Sequence, residues 1–398
     1  MPDPTVLPPS TVAPAPAGFF DRAIWLAGFR PFFALAFVAG AALPLIWVFA
    51  FTGVTPWPSS VPVLAWHAHE MYYGFGWAVL GGFLLTASKN WVKIRGIHGW
   101  PLALAVALWC VERAAIFVAD PLVSRVLLNA FPAYVIAYLV WTLVRFNAKS
   151  FYKDNAFFVV ALPIFLVAKN LLLTPSTWVL GTTMTLGLFR VAFVMMFERT
   201  MPQFMRNGPG IDLPLRRWID VPIKVLVLTS VFEALLPAPW AAAVLGLAAA
   251  LLLARLLTWH PVAGMKRFGI AVMYVGYLGL ILHLALQAMR YLGWFMGVGT
   301  LATHAFTFLC MGIVIPAMLL RICQGHTGRK IRFTASDKLA LGAMAAAAFF
   351  RLVATQLWPA SYSTWILAAG IGWALCFLVV GARVGPFVFA PRIDGRVH

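Results

Sequence analysis

The sequence predicts an all-α, polytopic integral membrane bundle of about twelve transmembrane helices with both termini cytoplasmic, and three observations carry that prediction. Of 398 residues, 62% are hydrophobic and 11% charged, with a mean hydropathy of +0.89. A water-soluble domain of this length uses far more polar surface. The apolar residues are gathered in long stretches, and nearly every Lys and Arg falls in alternate gaps between them.

A hydrocarbon core about 30 Å thick asks for about 20 apolar residues per helix. That length places spans at roughly 32–52, 66–88, 100–119, 124–146, 155–173, 178–197, 221–237, 240–257, 269–289, 298–320, 336–357 and 362–382. The gap after the second carries Lys89, Lys93 and Arg95, that after the sixth Arg199, Arg206, Arg216 and Arg217, and that after the tenth Arg329, Lys330 and Arg332. The opposite loops keep only Arg125 and Arg290. Cytoplasmic loops are the ones enriched in cations, so both ends are expected inside. The longest gap, 198–220, holds Pro202, Pro209, Pro214, Asn207, Gly208 and Gly210 and reads as a structured turn region.

Residues 1–20 are Pro-rich, lack both a basic start and an apolar core, and read as a disordered tail and not as a cleaved signal. Residues 21–385 form one membrane domain and 386–398 a short cytoplasmic tail. The net charge of +18 is then accounted for by topology and attraction to anionic lipid, not by nucleic acid. Cys110, Cys310, Cys323 and Cys376 are dispersed without a CxxC pair, as buried small side chains would be.

Polar groups inside apolar helices are functional candidates, because burying them is costly unless something pairs with them. Glu112, Arg113, Lys169, Arg190, Glu233, His283, His304 and Arg351 are such groups. His283, thirteen residues beyond Ile270 on an outward-running helix, lies roughly 20 Å from the cytoplasmic face. His304, six residues into the next helix, lies about 9 Å below the outer face and so at a similar level. Two imidazoles at one depth suit a haem gripped between helices; they are equally accounted for by hydrogen bonds to neighbouring carbonyls or hydroxyls. Glu112, Arg113, Lys169, Glu233 and Arg351 all map to the outer half, where they can pair with one another or, for the arginines, hold haem propionates.

A second constellation, Trp66-His67-Ala68-His69-Glu70-Met71-Tyr72-Tyr73, opens the second span. On an α-helix His67, Glu70 and Met71 share a face while His69 points roughly 200° away, so one metal cannot take both histidines. Imidazole with a thioether favours cuprous copper, and an ordinary interfacial helix start explains the same residues. At the cytoplasmic side His98, His260 and His326 lie in loops or at helix ends, His326 with His260 offering a second haem site. Glu70, Glu112 and Glu233 are candidate proton carriers.

Gly28-Phe29-Arg30-Pro31-Phe32-Phe33, Trp66-His67-Ala68-His69-Glu70-Met71, Gly82-Phe83-Leu84-Leu85-Thr86-Ala87, and Arg321 followed by Gly325-His326-Thr327-Gly328-Arg329 resemble the NnrS family of bacterial membrane proteins over about residues 20–385. The resemblance implies a haem- and copper-containing protein of the bacterial inner membrane, linked to nitric oxide, denitrification and nitrosative stress and drawing on an electron donor. It carries over most directly to His67, His69, Glu70, His304 and His326. The ninth helix departs from the family pattern, with Tyr274 where a histidine is expected, and the third has Glu112-Arg113 in place of a Gly-Arg pair. The combined expectation assigns copper to His67, His69, Met71 and His304, and haem to His283, His304, His326, Arg113 and Arg351. A transporter of a metal or small molecule is the rival reading, although the sequence shows none of the inverted repeats such a protein uses.

Overall fold

The computed structural model describes residues 18–395 except 60, 119, 147–155, 215 and 295–296, with the backbone alone of 156 and 157. Residues 1–17 and 396–398 of the expected tails lie outside this range. Among the described residues every apolar stretch is helical and no strand occurs.

In chain order the helices are α1 (Phe29–Phe51), α2 (Val63–His69), α3 (Trp77–Val92), α4 (Trp100–Ala115), α5 (Pro121–Arg145), α6 (Ala156–Leu172) and α7 (Trp178–Asn207). They continue as α8 (Arg217–Thr229), α9 (Ala238–Thr258), α10 (Pro261–Met265), α11 (Phe268–Tyr291), α12 (Leu301–His304), α13 (Ile313–Gly325), α14 (Ala335–Phe349), α15 (Thr355–Leu357) and α16 (Tyr362–Phe389). Three π-helical segments interrupt this series, each continuous with the α-helices on both sides: Glu70–Gly76, Ala305–Gly312 and Phe350–Ala354.

Eight described helices are long and apolar enough to cross a bilayer: α1, α5, Pro175–Asn207, α9, α11, Leu301–Gly325, Ala335–Leu357 and Pro359–Phe389. The sequence-based count was larger for local reasons. Helix α4 is 16 residues long and ends on Glu112 and Arg113. Helix α8 has 13 residues and passes into a 3₁₀ turn, Ser230–Leu235, that carries Glu233. The second stretch is divided between α2, a π segment and α3.

Two predicted ends shift. Helix α7 runs through Pro202 to Asn207, into the expected turn region, because Met201 and Met205 are fully buried and hold that part of the helix on the core. Helix α16 likewise continues past 382, with Val384 and Val388 buried. At the other end of the chain, Phe19–Asp21 winds into a single 3₁₀ turn.

Helix α1 packs on α16 and α3, α9 on α11, α14 on α16, and α11 on the segment Ala305–Gly312. Between apolar helices in lipid, close backbone approach and dispersion replace the hydrophobic drive, so small residues mark the contacts. Gly279 is one: a Cβ there would sit 2.5 Å from Leu309 Cβ, so only glycine lets α11 come this near the second π segment. The Arg30 guanidinium donates from Nη1 to the carbonyls of Val388 and Ala390, both at 2.8 Å. The start of α1 and the end of α16 therefore lie at the same end of the bundle.

Candidate functional site

All three π segments border one cavity of about 380 Å³. Met71, Tyr72 and Phe75 reach it from the first, Thr307, Phe308 and Met311 from the second, and Arg351 from the third. A π turn closes i→i+5 bonds and widens the coil, which frees wall space and re-aims side chains; such turns are concentrated at functional sites. Their hydrogen-bond pattern has no compositional signature, so the sequence gave no warning of them.

His67 and His304 both face this cavity. The His67 ring stacks on Trp47 with centroids 4.1 Å apart, and among the described residues neither of its nitrogens has a hydrogen-bond partner. His304 directs all its polar contacts through Nδ1, which lies 2.9 Å from the Thr300 carbonyl, 2.7 Å from Thr300 Oγ1 and 3.2 Å from Arg351 Nη2. A carbonyl can only accept, so when that bond is made Nδ1 carries the proton. Nε2 then keeps its lone pair with no protein partner, the arrangement by which a second contact orients a ligating imidazole.

His69 and Glu70 do not join them. His69 is fully buried, with Nδ1 2.8 Å from Glu70 Oε1 and Nε2 3.5 Å from Glu112 Oε1. Arg113 closes the group, its Nε 2.8 Å from Glu70 Oε2 and its Nη2 2.7 Å from Glu112 Oε1. The Lys169 ammonium also pairs with Glu112 and donates to the Leu128 carbonyl. Two carboxylates thus meet two fixed cations, a balanced charge set within the bundle. The expectation that Glu70 shares a face with His67 is corrected here, because the helix changes to π winding at Glu70 and the carboxylate turns to the His69 side. Arg113 is likewise committed to carboxylates of the protein.

His283 lies apart from His304 as well. Its Nδ1 donates to the Ala302 carbonyl at 2.7 Å, two residues before His304, so the two histidines do share a level. Its Nε2 is 3.5 Å from Arg190 Nη1. Arg190 in turn pairs with Glu233 at 2.7 Å and donates to the Ser230 carbonyl, while Gln287 donates to Glu233. Both His283 nitrogens are therefore occupied by the protein, and the facing pair anticipated for one haem does not converge. Arg190 and Gln287 were not assigned this role from sequence; the signal available was a buried cation and a buried acid on neighbouring helices.

At the opposite end of the bundle, His326 follows α13 and packs on Phe29, ring centroids 5.4 Å apart. Its carbonyl accepts from Arg392. His260 is exposed with a left-handed backbone (φ 51°) at the start of α10, and no contact joins it to His326. Burial, then the nearby cations Lys89, Arg392 and Arg30, push the His326 imidazole from its ordinary 6.5 down to about 4. The folded chain thus favours the neutral ring. Stability from this group is complete above about pH 6.5 and is lost as the pH falls toward about 4. Melting curves of the purified protein between these values should show that loss, and His326→Gln should flatten it; identical curves would remove the assignment.

Among the described residues no three His, Cys, Asp or Glu side chains gather as a metal-binding group. The cysteines are free, Cys110 exposed and Cys310, Cys323 and Cys376 buried. What the cavity offers instead is two imidazoles, the thioethers of Met71 and Met311, and one arginine.

The sequence model for the NnrS protein matches residues 23–392, nearly the whole chain. The chain belongs to the NnrS family. No curated protein matches it. At the level of the family this makes it a membrane protein of the nitric oxide response, and the cavity between His67 and His304 lies wholly within the matched region.

Proposed function

We propose that this NnrS-family protein binds or processes nitric oxide at a haem held in the cavity by His67 and His304, with copper as a further metal at the same imidazoles and Met71. The reading rests on one observation: two imidazoles from separate helices border one cavity with ring nitrogens that no protein group engages. The donor set fits such a group. Two imidazoles and two thioethers are too few and too soft for a closed structural zinc site. A macrocycle brings its own four nitrogens and asks the protein for only one or two axial ligands, and cuprous copper accepts imidazole with thioether. The volume lies within the range of cofactor sites.

When bound, such a metal would supply the affinity for a diatomic ligand. The chain's own part is more specific. Thr300 holds the His304 ring through Nδ1, Trp47 holds the His67 ring by stacking, and Phe75, Phe308 and Trp373 keep the surroundings apolar. Nitric oxide is small and apolar, so it can arrive through lipid without a dedicated channel. Glu70, Glu112 and Glu233 are each ion-paired in the bundle, which favours their ionised forms and suits charge balance better than proton delivery.

The same reading sets the protein in the bacterial inner membrane with twelve crossings and both ends cytoplasmic. The helical state of every apolar stretch, the clustering of cations in alternate gaps and the contact of Arg30 with the end of α16 support it. Protein purified in detergent should show a Soret band that moves on addition of nitric oxide, with iron or copper by metal analysis. A colourless, metal-free preparation would sink the proposal and favour the transport reading.

A further inference from the structure

Arg351 differs from the other buried arginines of the bundle. Arg113 faces Glu70 and Glu112, Arg190 faces Glu233, and Arg255 lies within 3.4 Å of both Glu198 and Asp220. Arg351 is 3% exposed, and among the described residues no carboxylate pairs with it. Its Nη2 donates to Thr300 Oγ1 and approaches His304 Nδ1, both at 3.2 Å, while Nε and Nη1 have no hydrogen-bond partner. It borders the cavity, and no Asp or Glu is among the residues that line that cavity.

A guanidinium taken out of water is costly unless a counter-charge compensates it, and an unmatched one should not survive in the interior without use. The anionic partner is therefore to be sought among what enters the cavity. The surroundings suit one. The Thr300 hydroxyl lies beside the guanidinium, and the Tyr362 ring is 5.7 Å from Arg351 Cζ. Gly299, with φ +64°, leaves room for the Tyr362 hydroxyl, which would sit 2.6 Å from any Cβ at that position. Two unpaired N–H groups on one planar fork match two oxygens in a plane.

We propose that the cavity takes a planar two-oxygen anion, a carboxylate or nitrite, on Arg351 with Thr300 and Tyr362 at its side. This occupant is distinct from the metal, and the inference stands on the cavity and the unmatched charge alone. The oxygens have two sources: a carboxylate borne by the bound cofactor, or a free ion.

Melting of the full-length protein in detergent, titrated with sodium nitrite, sodium formate and sodium chloride at constant ionic strength, tests it. If the anion is free, nitrite and formate stabilise the protein, chloride does not, and Arg351→Gln weakens half-saturation at least about tenfold. Arg351→Lys, which keeps the charge and loses the fork, gives an intermediate shift. If the cofactor supplies the oxygens, the protein as purified is indifferent to all three salts and Arg351→Gln retains less than about a tenth of the cofactor. A wild-type protein indifferent to the anions together with undiminished cofactor in Arg351→Gln overturns the proposal, and so does chloride acting as strongly as formate. Because the free-ion arm needs no metal, its result is separable from any failure of the haem reading.

Discussion

Replacing Glu112 with Ala should destabilise the protein by about 3–5 kcal/mol, the range measured when one member of a buried ion pair is removed. Glu112 Oε1 receives the Lys169 ammonium, Arg113 Nη2 at 2.7 Å and the edge of His69 at 3.5 Å. Without it, Lys169 is fully buried with only the Leu128 carbonyl as acceptor and the Tyr73 ring 4.9 Å from its nitrogen. Glu70 alone then faces two cations. The double variant Glu112→Ala/Lys169→Ala should recover a good part of the loss, since it withdraws one charge of each sign. Denaturant unfolding of the purified protein measures both. A single-variant loss below about 1 kcal/mol, the worth of an exposed pair, would mean that water reaches the network.

The second large effect concerns the cavity. His304→Ala and His67→Ala should each lose most of the bound haem or copper, about tenfold or more per mole of folded protein, whereas His98→Ala should lose none. The informative comparison is with His69→Ala and His283→Ala, whose rings the protein itself occupies. These should keep their metal even where they lower the melting temperature. Visible spectra with metal quantification on the folded fraction separate the outcomes. Retention by His67→Ala with loss by His69→Ala would reverse the assignment.

Much of the architecture was legible because membrane helices announce themselves by length. The stretches at 32–52 and 269–289 became α1 and α11 almost residue for residue, since nothing in them competes with helix formation in lipid. The ions inside the apolar helices were legible as a set, and the pairing of Glu112 with Lys169 follows the rule that such charges seek one another. Their individual partners were not. Helix periodicity put Glu70 beside His67, and a change of winding at Glu70 itself moved it to His69. The shared level of His283 and His304 was correct as a distance along two helices, but depth fixes neither ring's azimuth, and His283 turns to Arg190. Arg351 was read together with Arg113 as one of several outer cations; only the packing separates a cation already matched from one that is not.

The widened turns at Glu70–Gly76, Ala305–Gly312 and Phe350–Ala354 also act as phase shifters along their helices. A turn that holds about one residue more than the α-helix can lose a single residue and rewind normally, rotating everything on one side of the excision by about 100° about the helix axis. Dropping one amino acid near Gly74 would thus swing the ring of His67 relative to the whole of α3 while leaving every span long enough to reach across the bilayer.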